Sequence, residues 1–338
     1  VESQSMHAGY FLGNLYYAHG AWEEAFASWE RVQHKVPNLA PLHRGMALAC
    51  FEKIGDTEGA LRHMERAFAL DSTHPRMLYE LLLLYKAVRK PTAQRLRLLE
   101  EHRALLEERD DLFVEYITLL NSQGLADQAV QAMESHPFHT YEGGEGLLPK
   151  QWLLSHLLLG RKAWKSGQLE KALGLFQRSL EYPENFHEGR KSRPRECPAY
   201  WHIARVLEEM GRYEEAAAWD EKGLRLPQLL DECDYYRALS LRALGREREA
   251  QKALASLEEE GEKLLRSDRR FDFFAAFPTG VPFHQNMEVL TTVKAYSAVA
   301  MAERGLGRLE SMERALKKLQ QYSIDAQWVE LICGDARE

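Results

Sequence analysis

The sequence predicts an all-α protein, a right-handed α-solenoid of about eight helix pairs with three insertions. Glycines recur at a similar spacing along the 338 residues, and an apolar stripe at helical spacing precedes each of them. A small or apolar residue follows each glycine five positions later. Hydrophobic residues make up 45% of the chain, which is enough for a core that continues from pair to pair.

The recurring glycines are expected in the turn inside each helix pair. Glycine adopts the left-handed backbone conformation of a tight turn without steric cost, and a small residue lets the two helices cross closely. The turn glycines are Gly20, Gly55, Gly124, Gly167, Gly211, Gly245 and Gly307, and the crossing residues are Ala25, Ala60, Ala129, Ala172, Ala216, Ala250 and Met312. The period also predicts a turn at Arg89, Lys90 and Pro91, which places Gln94 at the third crossing.

Longer glycine spacings indicate three insertions, at 136–151, 183–198 and about 258–288. The resulting organisation is four N-terminal repeats in 1–137, repeats five to seven with two loop insertions in 138–257, the third insertion in 258–288, and a C-terminal repeat and cap in 289–338. Insertions in solenoids often contribute to binding.

Composition excludes several classes of protein. A net charge of −7 argues against sequence-independent nucleic-acid binding, which needs a basic surface. No apolar stretch is long enough for a membrane span. Four scattered cysteines without a CxxC pair argue against a zinc site and favour a reducing, cytoplasmic location.

No catalytic, metal or cofactor motif is present, so we expect neither an enzyme nor a cofactor. The first residues contain no signal peptide, and the start without methionine suggests a piece of a longer protein.

Two repeats carry a family pattern in detail. The positions are Leu12, Gly13, Tyr16, Ala25, Trp29 and Pro37 in the first repeat, and Leu159, Gly160, Ala172, Phe176 and Pro183 in the fifth. Together with the separation of 34 residues between Gly211 and Gly245, they resemble the tetratricopeptide repeat (TPR) family. The resemblance implies a scaffold that binds a protein segment without chemistry of its own.

A narrower resemblance involves the two loop insertions. The segment HTYEGGEG at 139–146, with Glu181, Asn185, Gly189 and Arg190, is similar to the C-terminal repeat region of large bacterial proteins with an uncharacterised β-rich N-terminal domain. It implies that the N-terminal domain of the same polypeptide is a partner. It also implies an alternative function, an accessory region of a carbohydrate-active protein that helps to shape a glycan site.

Side chains of the first helices that are not used in stacking are expected to line the inner surface. They are Tyr10, Asn14 and Tyr17 in the first repeat, Arg161, Trp164 and Lys165 in the fifth, Trp201, His202 and Arg205 in the sixth, and Tyr235, Tyr236 and Arg242 in the seventh. Aromatic residues and arginine are typical of interaction hot spots. This surface is either an open groove or is covered by the insertions.

The two loops carry opposite charges. Glu142 and Glu145 could form a carboxylate pair, or they could cap a helix or bind an arginine. Arg190 and its basic neighbours could form a phosphate site or pair internally. We predict that the loops meet beside Trp164, Trp201 and Arg205. The candidate binding residues are therefore Arg161, Trp164, Trp201, His202, Arg205, Tyr235, Tyr236, Glu142, Glu145 and Arg190.

The aromatic run from Phe271 to Phe277 has two interpretations. It is either a plug that packs onto the solenoid or an exposed surface that docks a partner.

Overall fold

A computed structural model describes residues 4–140, 144–267, 283, 287–323 and 325–333. In this part of the chain there are seventeen α-helices and no strand. None of the helices described is long and apolar enough to span a bilayer. The expectation of an all-α helical-repeat fold is confirmed.

Sixteen helices form eight consecutive pairs, and the last helix has no partner. The pairs are α1 (Gln4–Ala18) with α2 (Trp22–Lys35), α3 (Ala40–Ala49, followed by a π-helical turn Cys50–Ile54) with α4 (Thr57–Leu70), α5 (Pro75–Ala87) with α6 (Thr92–Glu101), α7 (Asp110–Ser122) with α8 (Ala126–Ser135), α9 (Leu147–Lys165) with α10 (Leu169–Arg178), α11 (Cys197–Glu209) with α12 (Tyr213–Leu224), α13 (Glu232–Ala243) with α14 (Glu247–Arg266), and α15 (Met287–Gly305) with α16 (Leu309–Leu319). The unpaired helix is α17 (Gln327–Cys333).

The turn inside each pair has a left-handed residue at its centre. All seven predicted glycines have positive φ, between 70° and 78°. At the remaining turn Arg89 has a φ of 58°, so the turn predicted there is confirmed, although no glycine is present. That turn is one residue longer, because α6 begins three residues after Arg89. The expectation for Gln94 was therefore wrong by one position: Gln94 is exposed and Arg95 is the buried residue.

Close contact between the two helices of a pair explains the small residues. The crossing residue after each of the seven glycines is buried, from Ala25 at 0% exposure to Ala216 at 4%. On the first helix, a Cβ added to Gly13 would lie 2.3 Å from the Trp29 ring, and one added to Gly160 would lie 2.3 Å from the Phe176 ring. The aromatic ring of the second helix thus fills the space that each glycine leaves.

The described residues fall into two compact units. The first lies within Val1–Leu112 and includes Phe283, and the second begins at Phe113. In the first unit, Trp29 lies in a core with Leu42 and Met46. The repeat boundaries predicted from the sequence remain a prediction.

In the second unit α17 packs against two hydrophobic cores at once. Trp328 and Leu331 belong to a core with residues of α9 to α12, among them Leu157, Phe176 and Ile203. Val329, Ile332 and Cys333 belong to a second core with residues of α13 to α16, among them Tyr236, Leu254 and Met301. The unpaired helix therefore joins consecutive repeats.

The third insertion begins as a continuation of a helix. α14 extends to Arg266, and it lies so close to α15 that a Cβ on Gly261 would be 3.0 Å from the Ala295 carbonyl oxygen. The aromatic run from Phe271 to Phe277 lies outside the described residues, so its two interpretations stay open.

We expect leucine in place of Ala172 or Ala216 to lower the melting temperature. Added bulk at a close helix crossing forces strained rotamers or backbone shifts, which typically costs about 1–3 kcal/mol. The exposed neighbour Lys171, replaced by leucine, is the matched control in α10. Thermal unfolding followed by circular dichroism measures the effect. An unchanged melting temperature in both alanine variants would show that the repeat phasing is wrong at these sites.

Candidate functional site

The first helices of three consecutive pairs bring six predicted site residues together. Arg161 and Trp164 of α9, Trp201 and His202 of α11, and Tyr235 and Tyr236 of α13 line one cavity of about 450 Å³. The rest of its lining is Lys165, Leu239, Arg304, Leu331 and Ile332. The spacing of the repeats therefore places side chains that are far apart in sequence on one surface.

The aromatic rings hold one another in place. The Trp164 and Trp201 ring centroids lie 6.5 Å apart, and the Trp201 and Tyr236 centroids 5.5 Å apart. Tyr235 and Tyr236 meet edge to face at 5.3 Å. The Trp164 indole also donates a hydrogen bond of 2.5 Å to a carboxylate oxygen of Glu209. Because such contacts restrict the rings before any ligand arrives, binding would cost little side-chain entropy.

His202 is uncharged and, with Trp164, Trp201, Tyr235 and Tyr236, forms the aromatic wall of the cavity. Its Nδ1 lies 2.7 Å from the Pro198 carbonyl oxygen, which can only accept, so Nδ1 carries the hydrogen. Burial, and secondarily the nearby Arg161 charge, lowers the pKa of His202 to about 3. Burial likewise raises the pKa of Tyr235 to about 12 and raises that of Tyr236 further. These three side chains are therefore uncharged at neutral pH.

Arg205 is directed away from the cavity lining. Its guanidinium forms an ion pair with the buried Asp220 carboxylate and a hydrogen bond of 2.7 Å with Glu208. It also lies 6.0 Å from the Trp201 ring centroid. Arg205 thus supports Trp201 from outside the cavity.

The two loop insertions meet, as expected. The Phe138 amide donates to the Asn185 carbonyl at 2.9 Å, and the Asn185 side chain donates to the His136 carbonyl at 2.7 Å. The Gly146 amide donates to the Glu188 carboxylate at 2.7 Å. None of the described loop residues lines the aromatic cavity, however.

For Arg190 the sequence left a phosphate site or internal pairing open, and the structure shows internal pairing. Arg190 pairs within its own insertion, with two hydrogen bonds of 2.8 and 2.7 Å to Glu196. Glu145 is exposed, and Glu142 lies outside the described residues. Glu196 also accepts from Tyr182 and Tyr200. Burial opposes ionisation of Glu196, but the Arg190 and tyrosine hydrogen bonds outweigh it and lower its pKa.

The other predicted inner-surface residues make local contacts. Asn14 accepts a hydrogen bond from the Trp29 indole at 3.2 Å, and Tyr17 donates to Glu52 at 2.8 Å. Arg242 pairs with Glu247 at 2.9 Å. Within the described chain no group of three or more histidine, cysteine, aspartate or glutamate side chains could hold a metal ion.

The sequence did not predict that α17 would lie on the inner surface. Its polar contacts reach α7 and α9, which are distant in sequence. The Gln327 side chain donates to the Thr118 carbonyl at 2.8 Å and to the Ser122 hydroxyl at 3.0 Å. It accepts from Gln151 at 2.9 Å, and Arg161 donates to the Leu331 carbonyl at 2.7 Å. The groove is thus partly covered by α17, the last helix in the part of the chain that the structure describes. The spacing of the apolar residues Trp328, Leu331 and Ile332 indicates a helix, but it does not specify that this helix packs in the groove.

A second cavity of about 540 Å³ is also lined by α17. Its lining includes Asn121, Leu154 and Leu158 from α7 and α9, and Gln327 and Glu330 from α17. Arg161, Lys165 and Leu331 line both cavities. The two cavities therefore flank α17 within one groove.

Comparison with known proteins gives no family assignment. No protein-family model matches the chain. Among solved structures, the TPR protein YrrB, described as having an unusual peptide-binding site, is 16% identical, with 64% of this chain and 97% of that chain covered at a TM-score of 0.42. A tetratricopeptide repeat protein from Parabacteroides merdae is 14% identical, with 76% and 93% covered at a TM-score of 0.42. The TPR domain of P58(IPK) is 14% identical, with 98% and 97% covered at a TM-score of 0.30.

These solved structures are helical-repeat proteins, but their identities and TM-scores are low. The assignment of a helical-repeat fold therefore depends on the chain's own helix pairs, turns and crossings. The narrower resemblance to large bacterial proteins with a β-rich domain stays a prediction.

We expect His202 to make the second unit less stable in acid. Its pKa is lowered by folding, so its contribution is complete above the unfolded pKa of about 6.5 and is lost as pH falls toward the folded value. Below that unfolded pKa the unfolded chain takes up a proton that the folded chain excludes, which weakens stability by up to about 1.4 kcal/mol per pH unit.

Urea unfolding of the native chain and of His202→Gln between pH 7 and pH 4.5 tests this expectation. The glutamine variant should lose less stability over this range, whatever its stability at pH 7. Parallel pH profiles for the two proteins would show that His202 does not exclude the proton.

Proposed function

We propose that this chain is a non-catalytic scaffold that binds a protein segment in the groove formed by α9, α11, α13 and α15. The observation that carries the proposal is the cavity lined by Trp164, Trp201, His202, Tyr235 and Tyr236. Aromatic side chains give a large contact area at a low entropic cost, and they dominate many interaction hot spots. Six of the ten predicted binding residues line this cavity, which supports the proposal.

The charge of the cavity favours an acidic segment. Arg161, Lys165 and Arg304 contribute to the lining, whereas no carboxylate does among the residues that the structure describes. The whole chain has a net charge of −7, so this local cationic composition differs from the average surface. The arginine and lysine side chains of this lining would attract carboxylates, while the aromatic residues contact apolar side chains.

The chemistry of the wall supports binding rather than catalysis. Among the described residues of the lining His202 is the one histidine, and a pKa of about 3 makes it a poor proton acceptor and keeps it uncharged. Arg205 and Arg190 are held in ion pairs outside the cavity. We therefore assign no reaction to this groove.

The partner can be a segment of another protein or of the N-terminal domain of the same polypeptide. The alternative of a carbohydrate-linked region depended on loops that complete a polar site beside the tryptophans. Since the described loop residues line no part of the cavity, no observation favours that alternative. The four free, buried cysteines fit the expected reducing location, and a cytoplasmic one stays a prediction.

We expect Trp201→Ala to weaken peptide binding at least tenfold. Truncating a central aromatic residue typically costs 2 kcal/mol or more at a hot spot, and about 1.4 kcal/mol corresponds to tenfold. Trp219 is the matched control, because it is a partly buried tryptophan of the same unit that lies outside the cavity lining.

The measurement uses an array of 15-residue peptides whose net charge is varied in steps. Acidic peptides with apolar residues should bind the native chain best. Trp219→Ala should keep that binding within twofold. Binding that is independent of peptide charge, or equally weakened by both substitutions, would contradict the assignment of this groove.

A further inference from the structure

The groove already holds one helical segment, which is α17. Five of its seven residues are buried, and Trp328, Leu331 and Ile332 enter the groove on one helical face. Glu330 is exposed and borders the second cavity. Apolar anchors three and four positions apart are the pattern by which a groove recognises an amphipathic helix.

One hydrogen-bonding group of the groove, the Arg161 guanidinium, contacts the backbone of α17. The last carbonyls of any helix have no partner within the helix. Arg161 donates at 2.7 Å to the Leu331 carbonyl, which lies in the last described turn of α17. At the other end, the Gln327 side chain bonds to the Thr118 carbonyl and the Ser122 hydroxyl of α7. A guanidinium aimed at a helix C-terminus would serve any helix of suitable length.

The fit of α17 in this seat is incomplete. Cavities of about 450 and 540 Å³ flank it, and Leu331 lines both. The Trp328 indole N–H is buried and has no hydrogen-bond partner among the described residues. Where the two cavities border α17, its side chains lack dispersion contacts, and an unpaired buried donor disfavours the docked helix. A partner helix with larger apolar side chains could fill the groove better.

We propose that the partner segment binds as an amphipathic helix in the seat of α17, and that α17 is an internal ligand that the partner displaces. This inference rests on the proposed function of the groove. A partner then binds only those chains in which α17 has left the groove. Its apparent affinity is therefore its intrinsic affinity multiplied by the fraction of such chains. Weakening α17 strengthens partner binding, whereas loss of an ordinary core helix would weaken it.

The thiol of Cys333 reports whether α17 is seated. It is 2% exposed, its Sγ lies 3.8 Å from the Ala300 carbonyl oxygen, and burial raises its pKa to about 12. Because the thiolate is the reactive form, Cys333 reacts slowly with iodoacetamide while α17 is seated. Cys197 and Cys233, buried at the starts of α11 and α13, report on the intact core.

The experiment uses the full chain with Leu331→Asp, which places a carboxylate in an apolar seat and so favours the undocked helix. Gln320→Asp adds the same charge at an exposed site just after α16 and is the matched control. The probe is a fluorescein-labelled synthetic peptide with residues 322–336 and the replacement Cys333→Ser. Fluorescence anisotropy measures its binding, and mass spectrometry measures alkylation of each cysteine.

We expect Leu331→Asp to expose Cys333 alone and to bind the probe at least tenfold more tightly than the native chain and the Gln320→Asp control. A probe with Trp328→Ala should bind at least tenfold more weakly. The inference is overturned if Cys333 becomes reactive only together with Cys197 and Cys233 in both Leu331→Asp and the milder Leu331→Ala. It is also overturned if Cys333 alone is exposed but the probe does not bind.

The array measurement separates this inference from the proposed function. One outcome is that Trp201→Ala weakens the binding of acidic peptides, while the native chain and Leu331→Asp bind them with equal affinity. The groove is then a binding site, but α17 does not compete for it. If Trp201→Ala weakens the binding of no peptide, the proposed function itself fails.

Discussion

The close crossing of the two helices in each pair is the contact on which the rest of the structure depends. Gly13 faces the ring of Trp29, Gly160 faces that of Phe176, and a Cβ on either glycine would lie 2.3 Å from the ring. A pair joined this tightly has its first helix fixed relative to its second, but it cannot bury its apolar face alone. Successive pairs therefore stack, and the first helices α9, α11 and α13 present their free side chains on one surface.

Polar contacts decide what that surface can bind. The insertions are held to themselves and to the start of α11, because Glu196 binds Arg190, Tyr182 and Tyr200. Among the described residues of these two insertions, no charged side chain lines the aromatic cavity. The groove is left with an uncharged aromatic wall and a lining that contains Arg161, Lys165 and Arg304. This lining is the basis of the proposal that the groove binds a segment with apolar anchors and acidic flanks.

The helix α17 occupies the same groove that we propose for a partner segment. One short helix contributes to two hydrophobic cores, yet it leaves a cavity on each side. Its tether to α16 keeps it at a high effective concentration, so a modest intrinsic affinity is sufficient to seat it. An external helix competes only if it fills the groove better. This arrangement would let α17 set the affinity for a partner without any change in the repeats themselves.

The sequence by itself determined the helix pairs, the turn glycines and the residues of the aromatic wall, because each depends on local spacing that is read at helical period. Even the turn at Arg89 followed from the period, although the extra residue that buries Arg95 instead of Gln94 did not. The tertiary structure decided which charges pair and where α17 lies. The Arg190 and Glu196 pair and the contact of Gln327 with Thr118 depend on how loops and distant helices meet in space. A stretch such as Trp328 to Ile332 encodes an apolar face, but only the assembled groove determines the surface against which that face is buried.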